Sequence, residues 1–198
     1  MKIDETDRRP VIFIHGFGSG KDSTKYTILK NQLDPNLFVI DIVEIDYSTA
    51  TKNEIESNLK TALDKYSCYR EAIVVGHSLG GYWTRVFAEK YFYSSVIINP
   101  NLKPWETLSD RVPIGEYDTV PDATIDRTSH SPNERVSLEL GDEVVDQQAQ
   151  INEGFFIRSC LTTIPNGHHR IEFDDNVIRE VLEMDARLSA LESFIFTD

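Results

Sequence analysis

The chain is short of cysteine, of positive charge and of long apolar runs, and each shortage removes a class of function. Cys68 and Cys160 stand far apart and form no C-x-x-C pair. That argues against a disulfide framework and predicts two ordinary reduced thiols in buried or helix-end settings. Twenty Lys and Arg face 33 Asp and Glu, giving a formal charge of −13 and a pI near 4.8. Nucleic acid and anionic membrane surfaces repel such a chain, so neither is an expected partner. No stretch approaches the ~18 consecutive apolar residues of a membrane span. The leader MKIDETDRR lacks the apolar centre of a signal peptide, so the expected location is the cytoplasm. From Glu172 to Asp198 there are eight acidic and two basic residues. That run reads as a solvated helix face, which favours a soluble monomer.

What is present suits a single domain, residues 1–198. The 198 residues are 40% apolar, enough for a substantial core, and no internal repeat or low-complexity tract interrupts them. Short apolar segments alternate with amphipathic ones. Strands are expected at Val11–His15, within LFVIDIVEIDY, at AIVVG, SVIINP, RVSLEL and CLTTIP. Helices are expected at Ser23–Leu33, at Asn53–Tyr66 with Asn53 as N-cap, at Gly80–Tyr91, at Val144–Glu153 and at Asn176–Phe196. This alternation predicts an α/β fold with a compact, mostly parallel sheet of about six strands flanked by helices. Between residues 101 and 133 the pattern fails, and half of the eight prolines fall there. A short lid-like excursion is expected.

The stretch VIFIHGFGSGKDST runs an apolar strand into a glycine-rich loop. A P-loop needs Gly, four residues, then Gly-Lys-Ser/Thr. Here Gly20-Lys21 is followed by Asp22, and His15 occupies the place of the first glycine. A G-x-G-x-x-G fingerprint starting at Gly16 would need glycine where Lys21 stands. Neither phosphate motif is met.

A second loop explains the first. VVGHSLGGYW contains Gly76-His77-Ser78-Leu79-Gly80, a G-x-S-x-G between an apolar strand and a helix. In such an elbow the serine sits in a strained turn, raised above the sheet edge, with the positive end of the helix behind it. A serine that transfers acyl groups needs backbone N–H donors for the oxyanion. Leu79, the residue after the serine, supplies one, and Phe17 in the IHGFGSG loop is the candidate for the other.

A serine also needs a base held by an acid, in the chain order Ser, Asp/Glu, His. His15 and His77 precede Ser78 and belong to the two loops as structural residues. His130 lies in the excursion, ahead of any carboxylate that follows a strand. His168 and His169 follow the last expected strand, in a loop, Asn166-Gly167-His168-His169, that resembles the common hydrolase loop ending in Gly-x-His, and that resemblance implies His169. For the acid, Asp142, Glu143 and Asp146 compete after the RVSLEL strand. Asp142 is preferred because it follows Gly141 at the strand end, while Asp146 is better placed to cap the next helix. Neither H-E-x-x-H spacing nor a cysteine cluster is present, so no metal is expected. Trp105, Leu108 and Tyr117 in the excursion are candidates for an acyl pocket, with Trp105 as the substrate-binding residue. Packing of the excursion is the alternative role for Trp105.

Taken together, IHGFGS, GHSLGGYW, INPNLKPWETL, LGDEVVD and GHHRI resemble the α/β-hydrolase superfamily. More narrowly, they resemble the small bacterial YqiA-like esterases. The resemblance runs from Val11 to about Ile171, and NPNLKPWETL is its more family-specific part. It implies an α/β-hydrolase fold and a cytoplasmic, cofactor-free serine hydrolase for short-chain acyl esters or thioesters. Carried across, Ser78 is the nucleophile, Asp142 the orienting acid and His169 the base, with Phe17 and Leu79 at the oxyanion. The chain departs from the family in carrying His168 where a small or amide residue is expected. The alternative reading is a non-catalytic binding protein on the same fold, which predicts a displaced histidine or a filled pocket.

Overall fold

A computed structural model describes residues 4–117, 133–156, 160–169 and 175–195. His130 and residues 118–132 of the expected excursion lie outside them. The chain begins with a 3₁₀ turn, Glu5–Asp7, and then builds β1 (Arg9–Ile14), α1 (Thr24–Gln32), β2 (Phe38–Val43) and α2 (Lys52–Lys65). Next come β3 (Ile73–His77), α3 (Leu79–Tyr91), β4 (Ser94–Ile98) and the single turn α4 (Pro104–Thr107). After a 3₁₀ turn at Ile114–Glu116 follow β5 (Glu134–Glu139), α5 (Gln147–Asn152), β6 (Cys160–Ile164) and α6 (Asp175–Ile195).

All six strands are parallel, in the order β2-β1-β3-β4-β5-β6. The central strands are apolar along their length because helices cover both faces. Ile12, Ile14 and Val74 point towards α2 and α3, where they meet Ile55, Leu59, Tyr82, Trp83 and Phe87. Val11, Phe13, Ile73 and Val75 point the other way, onto Leu29 and Leu33 and onto Val177, Val181, Met184 and Leu188 of α6. Each such side chain contributes ~1.5–3 kcal/mol by leaving water. The edge strand β6 is half open to solvent.

Four expectations are corrected. Thr51, not Asn53, caps α2: its hydroxyl takes the Glu54 N–H and Glu54 returns a bond to the Thr51 N–H, a reciprocal capping box. α5 starts at Gln147 rather than Val144, because Asp142 Oδ1 takes the N–H groups of Val144 and Val145 and holds them in a turn. The acidic run on α6 is not simply a solvated face. Glu180 is fully buried against Arg135 at 2.7 Å. The fully buried Arg9 reaches Asp185, the Glu71 carbonyl at 2.7 Å and Glu192 at 3.1 Å. These pairs pin α6 to the sheet. Finally, both cysteines are exposed, Cys160 because its strand is an edge.

Candidate active site

Because every strand is parallel, the loops that follow β1, β3, β4, β5 and β6 all open at one edge of the sheet, the usual location for ligands in such folds. The turn after β3 is the tightest of them. Ser78 has φ 54° and ψ −120°, a conformation that a side chain adopts only under strain. The surrounding bonds leave it no other: its N–H donates to the Ile98 carbonyl at 3.0 Å. Its own carbonyl accepts from Gly81 at 2.9 Å and from Asn101 at 3.1 Å. A Cβ at Gly80 would collide with the Ile14 carbonyl, and one at Gly76 with Thr84 and the Gly80 carbonyl. The two glycines therefore let α3 start against β1.

Asp142 closes the turn after β5, and its carboxylate is fully buried. Oδ1 accepts from Val144 at 2.8 Å and from Val145 at 2.9 Å, while Oδ2 accepts from Gln147 Nε2 at 3.0 Å. Oδ2 also accepts a hydrogen bond from His169 Nδ1–H at 2.7 Å. Burial alone would raise the pKa of this carboxyl, but the bonds from His169, Val145 and Gln147 outweigh it and hold the group below its ordinary value. An ionised Asp142 fixes the proton of His169 on Nδ1, which leaves Nε2 as an acceptor. That nitrogen lies 3.1 Å from Ser78 Oγ. The residues singled out in the sequence as nucleophile, base and acid thus form one hydrogen-bonded chain. Asp146 takes the Ala149 N–H at 2.8 Å and caps α5, as expected of it.

The other histidines are placed differently. His15 is buried; its Nε2 accepts from Ile45 N–H at 3.1 Å and its Nδ1 faces the Gly16 carbonyl at 2.8 Å. Burial pushes its pKa down, so it is a neutral strut under the glycine-rich loop. His168 is 73% exposed, and its Nδ1 lies 3.4 Å from Glu143 Oε2. His77 is driven well below the ordinary histidine range by burial, and the nearby charges of Lys25 and His169 add to this. Its Nε2 donates to the His169 carbonyl at 3.3 Å.

The glycine-rich loop meets the elbow directly: a Cβ at Gly16 would stand 3.1 Å from Ser78 Cβ. Leu79 is the first residue of α3, where an N–H has no partner within the helix. Neither its N–H nor that of Phe17 has an acceptor among the described residues. A cleft of ≈ 530 Å³ lies over Ser78 and His169, walled on one side by residues 16–19 and 22–25 and on the other by Asn101, Thr107, Leu108 and Arg111. Trp105 does not line it. The indole is partly buried and packs against the core, so among the described residues of the excursion Leu108 is the apolar side chain that lines the cleft. Tyr117 is fully buried, tilted against Trp83 at 5.0 Å. Among the described residues no three His, Cys, Asp or Glu side chains converge as metal ligands, and no helix is long and apolar enough to cross a membrane.

Two residues were not anticipated as contacts of the base. Glu143 Oε2 accepts the His169 N–H at 3.2 Å, and His77 holds the His169 carbonyl. Their only signal in the sequence is adjacency to Asp142 and Ser78.

The fold is that of the α/β hydrolases. The chain superposes on the ydeN gene product of B. subtilis with a TM-score of 0.67 at 16% identity, covering 89% of this chain and 97% of that one. It superposes on a carboxylesterase of the thaumarchaeon Nitrososphaera gargenis with a TM-score of 0.62 at 11% identity, covering 94% and 93%. In sequence it is 26% identical to the UPF0227 protein YcfP of Salmonella paratyphi B over 191 residues, covering 93% of this chain and 97% of that protein. The profile of the uncharacterised protein family UPF0227 matches residues 10–175, from the start of β1 to the start of α6, and the chain belongs to that family.

Proposed function

We propose that the chain is a serine hydrolase that cleaves small or short-chain acyl esters or thioesters through an acyl-enzyme. The observation that carries this reading is the chain from Asp142 Oδ2 to His169 Nδ1 at 2.7 Å and from His169 Nε2 to Ser78 Oγ at 3.1 Å. His169 Nε2 removes the Ser78 proton as Oγ attacks the carbonyl carbon. The Phe17 and Leu79 N–H groups receive the developing oxyanion, worth ~100- to 1000-fold in turnover for each donor. The imidazolium formed on the way is stabilised by Asp142 and returns its proton to the departing alcohol or thiol. Water, activated by the same histidine, then releases the acid.

The cleft bears on the substrate. Its volume of ≈ 530 Å³ suits a small ligand, and Phe17, Leu108 and Val144 are its larger apolar lining residues, beside Ser19, Ser23, Asn101 and Thr107. A long alkyl chain would find little apolar surface there. The non-catalytic alternative requires a displaced histidine or a filled pocket; the Ser78–His169 distance and the open cleft support the hydrolase instead.

The test is hydrolysis of p-nitrophenyl esters from acetate to dodecanoate, with matched acyl thioesters, by the intact chain and by Ser78→Ala. The expected result is turnover of acetate and butyrate that is lost in the variant and declines with chain length. Equal inertness of both proteins across the series would overturn the reading.

A further inference from the structure

We propose that Glu143 and His77 clamp the backbone of His169 from opposite sides and are positioning residues for it. This rests on the hydrolase reading of Ser78, His169 and Asp142. The two contacts are complementary: Glu143 Oε2 takes the N–H of His169 at 3.2 Å, and His77 Nε2 donates to its carbonyl at 3.3 Å. The imidazoles of His77 and His169 lie 5.1 Å apart, tilted by 44°.

The loop needs such a support. His169 follows β6, the sheet's edge strand, whose pairing with β5 ends at Ile164. Asn166 turns the chain with φ 60°. Among the described residues no backbone–backbone hydrogen bond reaches residues 166–169. The bond to Asp142 orients the imidazole but does not by itself set the distance of Nε2 from Ser78, and misplacement by ~1 Å costs on the order of 100-fold in rate. The clamp supplies that distance through the chain itself. His77 immediately precedes Ser78, and Glu143 immediately follows Asp142. Each residue that the histidine must face therefore has a chain neighbour gripping the histidine's backbone, so the three side chains move together.

The ionic contact between Glu143 and His168 is a lesser matter. Both side chains are more than half exposed, where solvent screens the pair. The bond to the His169 N–H is the contact that matters, and it needs an acceptor oxygen rather than a charge. Glu143 does not line the cleft, so its loss acts on the base and not on substrate binding.

Glu143→Ala is expected to lower kcat on p-nitrophenyl butyrate by about two- to tenfold, the worth of one hydrogen bond, with KM unchanged. Glu143→Gln, whose amide oxygen accepts the same bond, is expected to restore kcat. Hydrogen exchange at the His169 amide, followed by NMR, reads the clamp whether or not the chain turns over an ester. It is expected to be slow in the native chain and in Glu143→Gln, and faster in Glu143→Ala. A Glu143→Ala enzyme with native kcat, a Glu143→Gln variant as impaired as Glu143→Ala, or unaltered exchange at His169 would overturn the clamp. Absence of Ser78-dependent hydrolysis in the native chain would instead overturn the hydrolase, leaving the exchange data to judge the clamp alone.

Discussion

Ser78 and His169, the latter backed by the buried Asp142, face one cleft, but its two sides are held by different forces. The serine side is built by close packing. Gly76 and Gly80 have no room for a side chain, β1, β3 and β4 are buried on both faces, and Ser78 is forced into a strained backbone by its neighbours. The acid–base side hangs from β5 and the half-exposed edge strand β6, and is held by polar bonds to Asp142 and to the backbone of His169. Packing tolerates no added volume, whereas polar support tolerates no lost partner. The two sides should therefore fail in different ways.

The largest effect falls on the polar side. Asp142→Asn keeps the shape of the acid but offers Nδ1 no charge and favours the wrong tautomer. Turnover in a steady-state ester assay should fall by ~10⁴-fold while the fold survives by circular dichroism. His169→Ala combined with Asp142→Asn should be little worse than either alone, because the groups act as one unit.

On the packed side, Gly80→Ala should instead cost the fold. The added methyl meets the Ile14 carbonyl, backbone that cannot swing aside, and overpacking of this kind costs roughly 1–3 kcal/mol or more. A large drop in the urea midpoint is the expected readout; an unchanged midpoint would show that α3 can slide off β1.

The packed side also carries two histidines held neutral, the buried His15 and the half-buried His77, and this sets an acid limit on stability. His15 and His77 both have folded pKa values depressed below 6.5, chiefly by burial. Their contribution is fully present above about pH 6.5. It is lost as pH falls from there through the folded values, because the unfolded chain takes up protons that the folded chain refuses. Unfolding free energy should decline below pH 6.5 by at most about 1.4 kcal/mol per pH unit for each histidine. Urea titrations between pH 7.5 and 5 would show it, and a flat profile would mean that the fold holds neither histidine neutral.

The smallest effects separate strain from capping. Ser78→Gly should abolish turnover yet stabilise the chain by ~1 kcal/mol, since glycine accepts φ 54° and ψ −120° at little cost. Asp146→Ala, four residues from Asp142, should cost ~1 kcal/mol by uncapping α5 and change turnover by less than about threefold. A destabilised Ser78→Gly would mean that the elbow is not strained.

Much of this was legible in the sequence because it is local. Six apolar segments separated by helical periodicity fix the strand and helix order, and the expected boundaries fall within a few residues of the observed ones. The elbow is readable because glycine, serine and glycine at fixed spacing have one steric use between a strand and a helix. Even the α2 cap carried a local signal, Thr51-x-x-Glu54, that outranks Asn53. For Trp105 the sequence leaves both a cleft role and a packing role open, because an aromatic next to a site can point either into the cleft or into the core. That choice depends on the core cluster that the indole packs against, which is assembled from elements spread along the chain.

Sequence alone determined the strand order along the chain, the strained turn at Ser78 and the short set of candidate acids and bases, since each rests on steric rules acting over a few residues. Tertiary structure decided the rest. It put Asp142, rather than Glu143 or Asp146, against the ring of His169, and His169, rather than His168, against Ser78, because hydrogen bonds depend on distances set across β3, β5 and β6. It also turned the acids of α6 into partners for Arg9 and Arg135, because only the packed sheet brings those guanidiniums beneath the helix.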